Sequence, residues 1–365
     1  MKLENILESS DAASGIVKDI TALSKQLKKP IKIMEVCGTH TQVISQFGLR
    51  KLLPENVSLI SGPGCPVCVT PASYIEQAIA LAGKGFHILT FGDLLRVPSQ
   101  TSSLEKKKAE GFQIDVVYSP LDAVKIAKDD PRKEFIFLAV GFETTIPSVA
   151  STIMTAEKEN VKNFKILCAH KIIPPPLKIL AGDPDLEIDG FICPGHVSVI
   201  IGSKSYNFLP KEFRRGSVVT GFKPVDILLS VRELVRQSVE NHPCNVNFYK
   251  RAVKEEGNVE AQKLIGRTFD VEDAQWRGLG TIPLSGLRLK RKYERFDASL
   301  IDVEFDFPKE PKGCRCGDVL KGMISPGQCP LMARTCNPEN PVGACMVSSE
   351  GSCAAYYKYE RGRDG

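Results

Sequence analysis

Cysteine is the residue type whose spacing in this chain points most directly to chemistry. The only Cys-x-x-Cys motif, Cys65 to Cys68, lies in the proline- and glycine-rich segment 61–71, between a β-branched apolar run and a run with helical spacing. At the start of a helix, unpaired backbone amides and the macrodipole favour a thiolate over a thiol. The motif therefore predicts a reactive thiol pair whose disulfide is strained, which suits redox exchange better than structural cross-linking.

A third cysteine is predicted to lie close to this pair. The segment Cys37–His40 follows the apolar run 31–36, and the run 57–61 precedes the Cys-x-x-Cys motif; both runs read as buried parallel strands. Loops at the carboxyl ends of neighbouring parallel strands meet at one crevice. Thiolates gathered there can bind iron, zinc or copper(I), with the imidazole of His40 nearby. Taken alone, the cysteine of this segment is more simply a small buried apolar residue. The predicted metal ligands are Cys37, Cys65 and Cys68.

Two more predicted strands also end in polar side chains. The run 135–140 leads into a Gly-Phe-Glu-Thr-Thr motif, and the run 190–193 leads into Pro-Gly-His-Val-Ser. A carboxylate, two hydroxyls and an imidazole at the same edge can relay protons or orient a ligand. Two alternatives remain open: the threonines cap a helix, and the single histidine is structural. The predicted catalytic side chains are Cys65, Cys68, His40, Glu143, Thr144, Thr145 and His196.

The end of the chain predicts a second inorganic centre. Half of the 12 cysteines lie after residue 313, in a segment rich in Gly and Pro with too few apolar residues for a core of its own. Paired Cys-x-x-Cys knuckles, which mark structural zinc, are missing from it. Thiolates on separate irregular loops favour an iron–sulfur cluster over zinc. The proposed ligands are Cys314, Cys329, Cys336 and Cys353, with Cys316 and Cys345 as open alternatives.

The elements that position these groups are predicted to be alternating strands and helices. An amphipathic helix is predicted over residues 4–29, and strand-like runs separated by helical patterns follow in two series. The fold class is therefore α/β, with two parallel-sheet, Rossmann-like domains and a helical and irregular C-terminal region that carries the cluster. The predicted domains are 1–30, an N-terminal helix packed on the C-terminal part; 31–120 and 121–222, the two α/β domains; and 223–365, the helical region and Cys-rich tail.

Four local expectations complete this prediction. The run Pro174–Pro176 is expected to form a stiff loop rather than a helix, and a helix is expected to begin at Pro224. Residues 278–287 are expected to form turns, and residues 298–307 a last strand-like segment.

Composition describes a globular chain without a strong charge bias. It has 365 residues, 42% of them hydrophobic, and a net charge of +5 from 48 basic and 43 acidic residues. The short basic clusters 106–108 and 290–292 are flanked by glutamate, so we expect solvated surfaces and no nucleic-acid binding. The first residues lack the pattern of a signal peptide, and no run approaches the roughly 18 apolar residues of a membrane span. A cytoplasmic protein that does not bind membranes is expected.

Together, these motifs resemble those of the HypD family of hydrogenase maturation proteins. The resemblance rests on Cys37–His40, Gly62–Cys68, Gly141–Thr145, Pro194–Ser198 and tail intervals of 14, 6 and 16 residues between the proposed cluster cysteines, in order over nearly the whole chain. It implies a scaffold on which the Fe(CN)₂CO group of [NiFe]-hydrogenases is assembled. It also implies a complex with the small protein HypC, whose amino-terminal cysteine holds the iron together with Cys37.

The resemblance further implies how the scaffold is supplied. Cyanide arrives from HypE, acting with HypF, and the hydrogenase large subunit receives the product indirectly. The tail is implied to bind a [4Fe-4S] cluster. We add the hypothesis that this cluster passes electrons to a Cys65–Cys68 disulfide and that the resulting dithiol serves the iron, with His40 and Glu143 as proton or hydrogen-bond partners. The chain is then an assembly scaffold with redox activity rather than a conventional turnover enzyme.

Two rival functions remain at this stage. The first is a thiol-disulfide oxidoreductase of the ferredoxin:thioredoxin reductase kind, which explains the tail and the Cys65–Cys68 pair but leaves Cys37 without a role. The second is a cysteine hydrolase that uses Cys37 as nucleophile and His40 as base, with zinc in the tail. Neither a P-loop nor a complete dinucleotide-binding fingerprint occurs in the sequence, so nucleotide dependence is not predicted.

Overall fold

The computed structural model describes residues 3–100, 102–305 and 311–362. Helices flank parallel strands through most of this part of the chain. The α-helices are α1 (Leu3–Ser24), α2 (Gly38–Gln46), α3 (Leu49–Leu52), α4 (Pro66–Val69), α5 (Ala72–Gly83), α6 (Gly92–Leu95), α7 (Leu104–Ala109), α8 (Pro120–Asp129), α9 (Ile146–Lys158), α10 (Pro174–Gly182), α11 (Gly195–Ile201), α12 (Phe208–Phe213), α13 (Pro224–Val239), α14 (Val259–Thr268), α15 (Cys316–Leu320) and α16 (Ser352–Tyr359). Short 3₁₀ helices are formed by Ser203–Tyr206, Arg291–Phe296, Ala298–Leu300, Pro326–Gln328 and Ala344–Met346.

The strands form two parallel sheets and one hairpin. The strands are β1 (Ile31–Glu35), β2 (Val57–Ser61), β3 (His87–Thr90), β4 (Ile114–Val116), β5 (Phe135–Ala139), β6 (Phe164–Cys168), β7 (Gly190–Cys193), β8 (Gly216–Val219), β9 (Asn245–Asn247), β10 (Phe269–Trp276) and β11 (Gly280–Leu289). Sheet A has the order β2-β1-β7-β8-β9, sheet B has the order β4-β3-β5-β6, and β10 pairs antiparallel with β11. The predicted α/β class with parallel sheets is confirmed.

The two sheets do not follow the predicted domain boundaries. In sheet A, β7 from the predicted second domain pairs with β1 from the predicted first, with Ile33 opposite Gly190. In sheet B, β3 from the first pairs with β5 from the second, with Ile88 opposite Ile136. The boundary between 31–120 and 121–222 therefore does not separate the sheets. Parallel strands are joined by crossovers, and a crossover leaves the choice of neighbouring strand to tertiary packing.

Helices and the tail pack against sheet A. Helix α1 lies against α13, where Ile20 is buried and Asp19 pairs with Arg232 at 3.0 Å. The tail packs on β2, because a Cβ at Gly322 would lie only 2.6 Å from the Cδ1 atom of Ile60. Helix α16 packs against α2, the helix that follows β1. The cysteine-rich tail is therefore part of the same body as the loops at the carboxyl end of sheet A.

Three local predictions were wrong. Pro174–Pro176 opens helix α10 instead of forming a loop, because prolines in the first turn replace amides that lack an intrahelical acceptor. Residues 280–289 form β11, which pairs with β10 in a hairpin. The segment was predicted to form turns because of its turn-like composition. Residues 298–300 form a 3₁₀ turn, in which Asp297 Oδ1 accepts a hydrogen bond from Ser299 N–H. Of the predicted segment 298–307, residues 306 and 307 lie outside the described residues.

The predicted strands 57–61 and 190–193 are confirmed to the residue, as is the start of the helix at Pro224. Within the described ranges, no helix combines the length and apolar character that crossing a bilayer requires.

Candidate functional site

Loops from the carboxyl ends of both sheets enclose a cleft of about 780 Å³. Residues that follow β1, β3, β4, β5 and β7 line it, so the predicted convergence of strand ends is confirmed across two sheets rather than within one. The lining includes the polar side chains of Cys37, Thr39, Asp93, Tyr118, Thr144, Thr145, His196 and Glu350. Asp93 and Glu350 are the charged carboxylates among the described lining residues, and no Lys or Arg lies among them.

Cys37 lies at the N-cap of helix α2, with extended backbone angles of −150° and 122°. The Cys-x-x-Cys loop packs directly against it: the N–H of Gly38 donates to the carbonyl of Gly64 at 3.0 Å. A Cβ at Gly64 would lie 2.4 Å from the backbone N of Cys37, so no larger residue fits without displacing backbone. The first two cysteine motifs therefore meet through their backbones.

The thiol of Cys37 is held uncharged in the absence of a bound cation. Burial raises the pKa of Cys37 to about 12, and the charges of Glu35 and Glu350 raise it as well. Hydrogen bonds from the backbone N–H groups of His40 and Thr39 act in the opposite direction and lower this pKa. A metal cation that replaces the thiol proton would leave a thiolate already supplied with two backbone donors.

The buried carboxylate of Glu35 holds the Cys37 turn in place by hydrogen bonds, a role that was not predicted. Its Oε2 atom accepts a hydrogen bond from the N–H of Cys37 at 3.1 Å, and its Oε1 atom accepts one from the hydroxyl of Thr41 at 2.6 Å. Burial raises the pKa of Glu35 to about 7. The sequence signal was a glutamate in the apolar run of β1, where a buried charge requires specific partners.

Glu350 brings the cysteine-rich tail into the cleft and was also not predicted. The hydroxyl of Thr39 donates to its Oε1 atom at 2.9 Å. A Cβ at Gly38 would lie 2.4 Å from the Cβ of Glu350, so the two segments are in close contact. No local pattern around Glu350 distinguishes it from other tail residues, because its role depends on a contact with the other end of the chain.

The two histidines differ in their access to the cleft. His40 is fully buried and does not line the cleft; its Nε2 atom donates to the carbonyl of Gly221 at 2.9 Å. Burial lowers the pKa of His40 to about 4, so its imidazole is neutral. His196 is exposed within the cleft and stacks on Phe222 at 4.0 Å between ring centroids. His196 is therefore the imidazole that can contact a ligand.

The residues of the Gly-Phe-Glu-Thr-Thr loop differ in whether they line the cleft. Thr144 and Thr145 line the cleft. Thr145 does not cap helix α9 with its side chain; its hydroxyl donates to the carbonyl of Phe142 at 3.1 Å. Glu143 is buried: its Oε1 atom accepts from the N–H of Ile173 at 2.9 Å, and its Oε2 atom has no partner among the described residues. Burial raises the pKa of Glu143 to about 7.

Cys65 and Cys68 lie behind the cleft wall rather than in it. Pro66 and Val67 of the same turn line the cleft, whereas the two cysteines are 3% and 0% exposed. The N–H of Cys68 donates to the sulfur of Cys65 at 3.3 Å. The prediction of a thiolate at this helix start was wrong for Cys68, since burial raises its pKa well above the usual range. Helix α4 has only four residues, and its dipole is outweighed by desolvation.

On its buried side, the Cys65–Cys68 pair is connected to further cysteines by a series of side-chain contacts. Cys68 interacts with Cys345, and the sulfur of Cys345 lies 2.7 Å from the sulfur of Cys316. Cys316 in turn interacts with Cys314. The two tail cysteines that the spacing left ambiguous, Cys316 and Cys345, therefore connect Cys68 with Cys314.

The remaining tail cysteines surround Cys353. Burial raises its pKa, and the charges of the other tail cysteines named here raise it further: Cys316, Cys314, Cys336 and Cys329. Within the described ranges, no three His, Cys, Asp or Glu side chains converge on one point as around a single metal ion. The tail cysteines supply thiols, the donor type that an iron–sulfur cluster takes.

Comparison with known proteins identifies the relatives of this chain. A model of the HypD family, described as a hydrogenase formation hypA family, matches residues 11–360. Hydrogenase maturation factor HypD2 of Bradyrhizobium diazoefficiens is 44% identical, over 100% of this chain and 98% of its own length. Hydrogenase maturation factor HypD of Escherichia coli is 46% identical, over 93% and 92% respectively. The factor HypD of Rhodobacter capsulatus is 41% identical, over 98% of both chains.

Proposed function

Because this chain belongs to the HypD family of hydrogenase maturation factors, we propose that it is the scaffold on which the Fe(CN)₂CO group of [NiFe]-hydrogenases is assembled. The observation that carries the proposal is the position of Cys37. It is the cysteine that lines the cleft of about 780 Å³, while the other cysteines of the described residues lie outside the lining. The substrate iron would be bound there by one protein thiolate and would remain open to further ligands.

The surroundings of Cys37 suit an iron(II) substrate with diatomic ligands. A cleft whose charged groups are Asp93 and Glu350, without Lys or Arg in the described lining, attracts a cation. The hydroxyl of Thr144 and the imidazole of His196 provide donors for the nitrogen of bound cyanide. Binding of iron would replace the proton of the Cys37 thiol, which the pKa of about 12 otherwise retains.

The partners follow from the incomplete ligand set. One thiolate does not hold a mobile iron group securely, so a second soft ligand from another protein is required. We propose that HypC supplies it with its amino-terminal cysteine and that HypE, acting with HypF, delivers cyanide. The hydrogenase large subunit then receives the finished group. Tyr118 on the cleft rim is 94% exposed and is available for such protein contacts.

A [4Fe-4S] cluster is proposed as the resident cofactor, held by Cys314, Cys329, Cys336 and Cys353. Cys316 and Cys345 are assigned elsewhere because their sulfurs contact each other at 2.7 Å and Cys345 also contacts Cys68. A cluster bound at the four cysteines would supply single electrons. This assignment keeps the four cysteines proposed from the spacing and sets aside the alternative in which Cys316 or Cys345 replaces one of them.

The contacts between cysteines support a thiol exchange beside the iron site. The sulfur of Cys345 attacks the sulfur of Cys68 in a Cys65–Cys68 disulfide while the thiol proton of Cys345 passes to the departing sulfur of Cys65, which gives a Cys345–Cys68 mixed disulfide. Cys316 then attacks Cys345 and releases Cys68. The products are a Cys316–Cys345 disulfide and a Cys65–Cys68 dithiol; two protons and two electrons have moved from one pair to the other, and no external oxidant is consumed.

The geometry argues against both rival functions. A thioredoxin-like substrate cannot reach Cys65 and Cys68, which are 3% and 0% exposed. A hydrolase would need His40 as a base, but its Nε2 atom is engaged with Gly221 and burial lowers its pKa to about 4.

The test is anaerobic copurification with HypC, followed by infrared spectroscopy for metal-bound cyanide and carbonyl and by iron and sulfide analysis. We expect Cys37→Ser to lose the infrared bands and keep its sulfide content. Cys329→Ser should lose sulfide. Cys244→Ser is the matched control, because Cys244 is half-buried and lies outside both the cleft and the tail. Bands of normal intensity in Cys37→Ser would overturn the proposal. Full iron loading with both ligand types in Cys65→Ala or Cys68→Ala would exclude an essential thiol exchange.

A further inference from the structure

The outer edge of sheet A is open at β9, far along the sheet from the tail. β9 is the last strand in the order β2-β1-β7-β8-β9, and within the described part of the chain it pairs only with β8. A cavity of about 670 Å³ lies beside this edge and includes all three residues of β9 in its wall. The edge therefore combines an unfilled sheet position with space for another chain.

The backbone groups on the open side can be assigned from those on the paired side. The N–H of Ser217 donates to the carbonyl of Cys244 at 3.0 Å, and the N–H of Phe248 donates to the carbonyl of Val219 at 2.9 Å. Alternate residues of a strand direct their backbone groups to opposite sides. Asn245 and Asn247 therefore direct their N–H and C=O groups away from β8, where no strand of the described chain meets them.

Two other sheet edges in this fold are occupied. At the β2 edge of sheet A, Arg50 Nε donates to the carbonyl of Leu59 at 3.0 Å. At the β6 edge of sheet B, Ile166 forms a parallel bridge with Asp297. Exposed edges are commonly covered in this way, because free backbone groups otherwise pair with other chains. The open edge at β9 thus differs from those at β2 and β6.

The cavity beside β9 is held in shape by hydrogen bonds. Asn245 Nδ2 donates to the carbonyl of Ser203 at 2.7 Å, and Asn247 Nδ2 donates to the carbonyl of Val253 at 2.9 Å. The two wall segments are joined as well, since the N–H of Ser203 donates to the carbonyl of Lys254 at 3.1 Å. A preformed cavity lowers the conformational cost of binding an additional segment.

The charged and apolar side chains of the cavity determine which kind of segment can bind there. Phe248 is 46% exposed at its edge. Lys250 and Lys254 have no ion pair among the described residues, whereas Lys204 is paired with Glu255 at 3.2 Å. We propose that this edge binds an extended, acidic segment of a partner protein, which joins sheet A beside β9. A second copy of this chain would place lysines against lysines and is disfavoured by charge.

The proposed mode divides the recognition between backbone and side chains. Backbone groups of Asn245 and Asn247 pair with the added strand, which gives affinity for any extended segment. Carboxylates of that segment meet Lys250 and Lys254, and an apolar side chain covers Phe248. The β9 edge is separate from the cleft at Cys37. A negative result for peptide binding would therefore leave the proposed iron scaffold unaffected.

The test uses a fluorescein-labelled nine-residue peptide of alternating aspartate and valine and the full-length protein. Fluorescence anisotropy should show saturable binding that weakens with salt. Lys250→Glu combined with Lys254→Glu should weaken binding at least tenfold. Lys125→Glu combined with Lys162→Glu is the matched control, because both lysines are exposed and lie in another part of the fold. A peptide methylated on alternate backbone nitrogens should not bind.

Hydrogen exchange locates the bound peptide. The amides of Asn245 and Asn247 should gain protection, whereas those of Val246 and Phe248, already directed to β8, should not change. Three results would overturn the proposal: no binding of the acidic peptide, binding without protection of these two amides, or equal binding of a lysine–valine peptide. Protection that instead grows with protein concentration, without peptide, would identify a second copy as the occupant.

Discussion

The hydroxyl of Thr39 donates a 2.9 Å hydrogen bond to Glu350, and this contact joins the Cys37 turn to the cysteine-rich tail. Two regions that lie far apart in the chain thereby form one wall of the cleft. The tail has two roles in consequence: it carries the proposed cluster cysteines, and it supplies a carboxylate beside the proposed iron ligand.

Glu350→Gln should make the Cys37 thiol more reactive. The charge of Glu350 raises the pKa of Cys37, so its removal lowers that pKa and increases the thiolate fraction at a given pH. We expect alkylation of Cys37 by iodoacetamide to become about two- to tenfold faster at pH 8, because one pKa unit corresponds to a tenfold change. Glu55→Gln, at an exposed site, is the control. A slower or unchanged rate would show that the carboxylate does not act on Cys37.

Gly64→Ala should destabilise the protein and displace the Cys37 turn. The added Cβ would lie 2.4 Å from backbone N of Cys37, and backbone cannot move aside as a side chain can. We expect the free energy of unfolding to fall by about 1–3 kcal/mol in urea titrations under reducing conditions. Gly266→Ala is the matched control: nothing lies within 4 Å of that Cβ, and alanine favours helix α14. Equal stability of the two variants would contradict this packing.

Glu143→Gln should stabilise the protein at high pH and lose that advantage in acid. The folded-state pKa of Glu143 is raised by burial to about 7, from the ordinary value of 4.5. Above pH 7 the folded protein must hold a buried carboxylate, which costs up to about 3 kcal/mol relative to the unfolded chain. As the pH falls through 7 towards 4.5, the folded state takes up the proton first and this cost disappears.

Urea unfolding of wild type and Glu143→Gln at pH 8 and pH 5 measures this difference. The glutamine keeps an oxygen that accepts from the N–H of Ile173, so the comparison isolates the charge. Glu55→Gln is the control variant, because Glu55 is exposed. A stability difference that is the same at both pH values would mean that Glu143 does not carry the buried charge.

Cys345→Ser should interrupt the proposed thiol exchange. Cys345 contacts both Cys68 and Cys316, so its loss separates the Cys65–Cys68 pair from the tail. After anaerobic dithionite treatment of the reconstituted protein, we expect reduction of a Cys65–Cys68 disulfide to slow by about tenfold or more. Differential alkylation and mass spectrometry measure it. Cys316→Ser should have the same effect and Cys244→Ser none; normal reduction in Cys345→Ser would show that electrons take another route.

Local patterns predicted the elements that bear the site. Short apolar runs located β2 and β7 to the residue, and the turns that follow the strands contain the cysteine, threonine and histidine side chains of the cleft. The resemblance of these motifs to the HypD family was confirmed over residues 11–360. Such signals are available in sequence because strand periodicity and turn chemistry depend on residues close together in the chain.

Other features had no local signal. The exchange of strands between sheets A and B, the hairpin of β10 and β11, and the burial of His40 away from the cleft follow from long-range packing. The preference for a thiolate at a helix start was reversed for Cys68, because burial outweighs the dipole of a four-residue helix.

The sequence by itself determined that cysteines would be concentrated at strand ends and in a tail, in an α/β chain of the HypD family. Only the tertiary structure decided that Cys37 faces the cleft, that Cys68 faces Cys345, and that Glu350 completes the wall. The physical reason is that the reactivity of a thiol depends on its burial and on the charges around it. Both are set by contacts between segments that are distant in the chain.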